Sequence, residues 1–282
     1  MGNQLKTILL LGVLTAILVW FGSIWGKSGA VMALVIALAL NFFAYWFSDK
    51  MVLAMYRAKE VLPGEAPVLY RIVKDLAMLD NLPMPKVYIY QSDNPNAFAT
   101  GRDLNHAAVA VSTGILDILS EQELKGVLAH ELSHVKNRDI LIATCAATLA
   151  AAITFLARMV QWGAMFGGGD RDRQGNALSL VAMLVMAVLA PLAALLVQMA
   201  VSRSREYIAD SDGAKLSRNP MFLANALRKL ETAGKRQPMR NANPATSHLF
   251  IVKPFSGRGM LSLFSTHPPV EERIARLEKM II

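Results

Sequence analysis

Four apolar blocks dominate what this sequence can fold into: residues 7–25, 30–47, 140–160 and 178–201. Each is close to the ~20 residues that carry a helix across the hydrocarbon of a bilayer. The other reading is four buried core helices. A chain of 282 residues has too little polar sequence to cover four such blocks in one soluble domain. The composition agrees, with 54% hydrophobic and only 18% charged residues. The first block is too long for a signal-peptide core, lacks a small-residue cleavage site and leads at once into the second. The blocks therefore read as two helical hairpins, the first turning at Gly26-Lys27-Ser28-Gly29.

The net charge of +8 clusters beside these blocks. Lys50, Arg57 and Lys59 follow the second block, Lys136 and Arg138 precede the third, and Arg203 and Arg205 follow the fourth. In the second hairpin loop, Asp170, Arg171, Asp172 and Arg173 alternate in sign. The positive-inside rule then places both termini and both polar segments in the cytoplasm. No basic helix interleaved with aromatics is present, so nucleic acid is not expected as a partner. The single cysteine, Cys145, excludes an intrachain disulfide and a Cys-rich metal site.

The expected organisation is a membrane hairpin (1–48), a first catalytic part (49–139), a second hairpin (140–201) and a second catalytic part (202–282). The fold class is α+β, with four transmembrane helices and a mainly helical domain carrying a small β-sheet. Helical spacing covers 66–79. A strand covers Lys86–Tyr90. A hairpin pairs 97–100 with Ala107–Ser112. Ser120 and Glu123 form a capping box that opens a helix. Residues 235–244 read as a loop. Pro268-Pro269 opens a last helix with Val270, Ile274, Leu277 and Ile281 on one face.

The helix opened by Ser120 carries His130-Glu131-Leu132-Ser133-His134. Histidines four apart share a helix face, so both imidazoles reach one ion, and Glu131 lies where a general base is needed. The pattern alone arises by chance roughly once in a hundred chains of this length. Leu124, Val127, Leu128, Leu132 and Val135 surround the histidines, which implies burial and hence partners. A catalytic site needs a third ligand. Glu206 is the candidate, with Asp210 one turn further on to accept a hydrogen bond from a ligand histidine. A surface carboxylate paired with Arg203 or Arg205 is the alternative for Glu206. Two membrane crossings between His134 and Glu206 return the chain to the side it left, which the shared ion requires. Ser133 faces away from the metal, and His106 and His248 read as surface or structural.

Four motifs in order, His130 to His134, Ser204-Arg205-Glu206 with Asp210, Asn96-Ala97-Phe98-Ala99-Thr100-Gly101, and Thr266-His267-Pro268-Pro269, resemble the M48 family of membrane zinc metallopeptidases, its bacterial heat-shock members in particular. The resemblance runs nearly end to end. It implies a zincin-type domain and one zinc ion held by His130, His134 and Glu206, with Glu131 as base. It implies that Asn96, Ala97, Phe98 and Ala99 bind substrate and that His267 assists catalysis. An ordinary hairpin, and a shaping role for His267 before the last helix, are the alternatives. The resemblance further implies quality control and stress response in the bacterial inner membrane, on unfolded or misfolded membrane proteins, with self-cleavage and self-association left open. Two other functions fit the motifs: a non-catalytic adaptor with structural zinc, and a prenyl-protein processing protease.

Overall fold

A computed structural model describes residues 3–23, 26–145, 203–236, 249–251 and 268–281. The first two helices, α1 (Asn3–Ser23) and α2 (Gly26–Met55), pack against each other. Gly22 sits where a Cβ would come within 2.4 Å of the Ala33 side chain, so the helices touch there. Asn41 binds across the pair, donating to Thr15 Oγ1 at 2.8 Å. Among the described residues α2 is the one helix long and apolar enough to span a bilayer. Its surface argues against a soluble core helix, since Val31, Met32, Val35, Phe42 and Phe43 are all exposed. The third block is described only as far as residue 145, helical over 139–145, and the fourth lies outside the described residues.

Gly26 to Gly29 do not form the expected hairpin turn; they are the first turn of α2. Helix α2 also runs to Met55, beyond the apolar block, because Ser48, Val52 and Leu53 continue its spacing as a buried stripe. That stripe packs on the sheet, beside Tyr90, Phe98, Ala108 and Ala110. One continuous rod therefore runs from the apolar hairpin into the polar domain.

Among the described residues the sheet has four strands: β1 (Lys59–Glu60), β2 (Lys86–Tyr90), β3 (Ala97–Gly101) and β4 (Ala107–Ser112), in the order β1-β2-β4-β3. The expected hairpin of β3 and β4 is antiparallel, with Ala97 opposite Val111 and Ala99 opposite Val109. Strands β2 and β4 run parallel, a pairing the sequence did not announce. Strand alternation separates two cores. Val87, Ala97, Ala99, Val109 and Val111 face the helices, while Tyr90, Phe98, Ala108 and Ala110 face α2. Among the described residues, β3 is an edge strand.

On the helical side lie α3 (Pro67–Leu79), the short α4 (Thr113–Ile118) and α5 (Glu121–Lys136). The Ser120–Glu123 capping box opens α5 as expected. Helix α5 is the centre of the domain, covered by α6 (Arg203–Ser217) and α7 (Pro220–Arg236). Glycine sets both distances. A Cβ on Gly126 would lie 2.5 Å from the Leu223 backbone, and one on Gly213 would lie 2.8 Å from His130 Cα. Residues 235 and 236 of the expected loop are the end of α7, and 237–244 lie outside the described residues. The last helix, α8 (Val270–Glu278), buries Val270, Ile274 and Leu277. Ile281 lies past its end and is fully exposed, so it does not share that face.

Candidate metal centre

The capping box, the apolar face of α5 and the close approach of α6 at Gly213 together fix where the histidines stand. His130 and His134 turn their Nε2 atoms toward each other, 3.3 Å apart. Glu206, in the first turns of α6, enters the same point. Its Oε1 is 3.5 Å from His134 Nε2 and its Oε2 is 3.8 Å from His130 Nε2. These three residues could hold one metal ion, with ligand atoms all within 4.8 Å of one another.

The donor spacing and chemistry fit a small dication. Two nitrogens bound tetrahedrally at about 2.0–2.1 Å would lie about 3.3–3.4 Å apart. Each imidazole also has a carboxylate at its other nitrogen. Asp210 Oδ1 is 3.0 Å from His130 Nδ1, and Asp139 Oδ2 is 3.1 Å from His134 Nδ1. Carboxylates there favour Nδ1–H and leave the Nε2 lone pair outward. Two such lone pairs facing each other at 3.3 Å, next to Glu206, repel unless a proton or a metal ion lies between them. Burial lowers the proton affinity of His134, but Asp139, Glu206 and Glu131 outweigh it and raise the imidazole pKa to about 9. The surrounding carboxylates therefore favour a proton on His134 when no metal is bound.

A prediction follows from that sign. Metal binding at pH 7 displaces the His134 proton, and apparent affinity rises with pH until about 9. Calorimetric titrations in buffers of different ionisation enthalpy measure the proton count. About one proton from His134 is expected to be released near neutrality, and this contribution should shrink as pH rises through about 9.

Glu131 is buried beside the histidines, and its Oε2 accepts the Ala99 N–H at 2.9 Å. Burial pushes its carboxyl pKa up, against the opposing pull of the histidines. The bond to Ala99 ties α5 to the outer edge of β3 and aims the carboxylate. Ser133 turns back to the Ala129 carbonyl oxygen, away from the centre.

The structure adds two residues that sequence reasoning missed. One is Asp139. The chain leaves α5 through Arg138 in the left-handed region (φ 56°), and that bend brings Asp139 back to His134. Arg205 reaches the other oxygen of Asp139 at 3.4 Å. The second is Arg273, which is fully buried. Its Nε and Nη2 grip both oxygens of Asp210 at 2.9 and 2.7 Å, and its Nη1 lies 3.7 Å from Glu206 Oε2. Burial pushes the Asp210 carboxyl up, but the Arg273 charge and the contacts with His130 outweigh it and hold it at about 2. Arg273 occupies the apolar stripe of Val270, Ile274 and Leu277, and a charge at such a position is the signal that could have found it.

The remaining expected residues fall as follows. Asn96 is buried, with both ends of its carboxamide on the backbone of residues 249 and 251. Ala97, Phe98 and Ala99 lie on the edge strand, but the Ala99 amide is occupied by Glu131. His106 sits at the surface on Asp103. His248 and His267 lie outside the described residues.

Paired histidines one helical turn apart, a carboxylate from a second helix and a buried glutamate next to the first histidine define the centre of a metallopeptidase. The chain belongs to peptidase family M48, whose model matches residues 63–281. It is 54% identical over 285 residues to the "Protease HtpX homolog" of Syntrophobacter fumaroxidans, covering 99% of this chain and 100% of that one. It is 57% identical to the protein of the same description from Syntrophotalea carbinolica, covering 99% of each. The counterpart from Thermodesulfovibrio yellowstonii is also 57% identical, over 99% of this chain and 98% of that one. Among solved structures, S. mikatae Ste24p shares the fold at a TM-score of 0.51 and 18% identity. That match covers 98% of this chain, which spans 65% of the Ste24p chain.

Proposed function

We propose that this chain is a zinc-dependent endopeptidase of the bacterial inner membrane. It cleaves unfolded or damaged membrane proteins on the cytoplasmic side, as part of quality control under stress. The convergence of His130, His134 and Glu206, with Glu131 beside them, carries this reading. The relatives described as HtpX proteases support the assignment to proteolysis. The exposed apolar surface of α2 supports the membrane. In this reading all four apolar blocks cross the bilayer, and the two hairpins and two catalytic parts divide as expected from the sequence, except that α2 carries the first boundary on to Met55.

Bound zinc would polarise the scissile carbonyl and make the attacking water acidic. The protein does the rest. Asp210 and Asp139 keep the histidine Nε2 atoms available. Ala99 holds Glu131, which takes the proton of the water and returns it to the leaving amine. With the Ala99 amide occupied, an extended substrate pairs through the other outward backbone groups of β3, starting at Ala97. Backbone pairing leaves side-chain choice loose and excludes folded substrates. A purely structural metal would not call for a buried base at Glu131.

Metal removal tests this. Purified protein treated with a chelator is expected to lose all cleavage of an unfolded reporter, and one equivalent of zinc should restore it. Undiminished cleavage by metal-free protein would exclude the mechanism.

A further inference from the structure

Asn96 opens β3, yet its side chain serves the far end of the sequence. Its Nδ2 donates to the Leu249 carbonyl oxygen at 3.2 Å, and its Oδ1 accepts the Ile251 N–H at 3.1 Å. A carboxamide used this way does what the backbone of a neighbouring strand would do. Asn96 is 1% exposed, so water does not compete for either bond. Between the two clamped residues, Phe250 is buried 6.4 Å from the Tyr56 ring, which also packs on Tyr90 and Phe98.

The clamp is one link from the metal centre. The Ile251 carbonyl oxygen accepts Arg273 Nη1 at 3.0 Å. Arg273 grips Asp210, and Asp210 stands at His130 Nδ1. We propose that Asn96 is a positioning residue for the metal centre. By splinting residues 249–251 onto the start of β3, it fixes the carbonyl that aims Arg273, and through Asp210 it holds the His130 ring. This rests on the zinc reading above. It gives Asn96 a role inside the fold in place of the expected substrate contact, since one amide hydrogen and the carbonyl oxygen are already bound to residues 249 and 251.

The test uses the full chain in detergent. Zinc affinity is measured against a competing chelator, with kcat and KM on an extended peptide. The variants are Asn96→Ala, Asn96→Asp, Arg273→Lys and the double Asn96→Asp/Arg273→Lys. Asn96→Asp keeps the acceptor for Ile251 but sets a carboxylate oxygen against the Leu249 carbonyl, so it carries the test even if Asn96→Ala does not fold. The expected result is a roughly 10- to 100-fold loss of zinc affinity and a fall in kcat with KM unchanged. The double variant should be no worse than Arg273→Lys, because both changes break one chain of contacts. A raised KM with wild-type zinc affinity, or additive losses in the double variant, would overturn the proposal. Hydrogen exchange at the Ile251 amide of metal-free protein separates this from the zinc reading. If wild type binds no zinc, the zinc reading fails, while fast exchange in Asn96→Asp against slow exchange in wild type still establishes the clamp. Equal exchange in both removes it.

Discussion

Glu131→Gln is expected to abolish cleavage while leaving the metal in place. The Gln side chain has nearly the same shape as Glu. Its carbonyl oxygen can still accept the Ala99 N–H, now made to Glu131 Oε2 at 2.9 Å. The tie between α5 and β3 survives, and so does the arrangement of His130, His134 and Glu206. What is lost is the lone pair that takes a proton. A general base contributes about 10²–10⁴-fold, so kcat should fall by at least that range. Stability should change little, because burial already disfavours the charged carboxylate at this position. Cleavage assays on an unfolded reporter and metal analysis of the same samples check both halves. Substantial cleavage by a metal-loaded Gln variant would exclude Glu131 as the base.

Arg273→Met is expected to have the second largest effect, and on stability and metal affinity together. The guanidinium is fully buried and neutralises Asp210 through two hydrogen bonds. Methionine fills the volume but leaves the Asp210 carboxylate buried without its cation. Breaking a buried ion pair from one side costs about 3–5 kcal/mol. Asp210 then regains a proton more readily, since its carboxyl is held at about 2 mainly by Arg273 working against burial. In the native protein the pair stabilises above the unfolded carboxyl value of ~3.9 and loses that contribution as pH falls through about 2. In the variant the loss should begin at higher pH. A protonated Asp210 no longer favours Nδ1–H on His130, so zinc affinity should fall by roughly 10- to 100-fold. Thermal unfolding across pH 3–7, with zinc titration, measures both effects. Wild-type stability in Arg273→Met would contradict the role given to this pair.

The parts of the site legible in the sequence were those written in local spacing. Histidines four apart on a capped, apolar-striped helix have one geometry, and α5 has it. Strands β2, β3 and β4 were legible from runs of Ala, Val, Ile and Tyr bounded by turn residues. What escaped depends on contacts across long stretches of chain. Asp139 was hidden because its approach to His134 needs the left-handed turn at Arg138. Arg273 reads as one more surface charge in a Glu- and Arg-rich helix until the register of Val270, Ile274 and Leu277 is counted. Asn96 reads as a turn residue, since nothing nearby reveals partners more than 150 positions away. The apolar blocks showed that helices exist but not where they stop. Helix α2 ends at Met55 because the sheet, not the bilayer, buries its last two turns.

The central claim is that His130, His134 and Glu206 together hold one ion. Zinc content per chain in Glu131→Gln and Glu206→Ala, after equilibration with a buffered zinc solution, tests it most directly. The expected result is one zinc per chain in the first and close to none in the second. One zinc per chain retained by Glu206→Ala would contradict it.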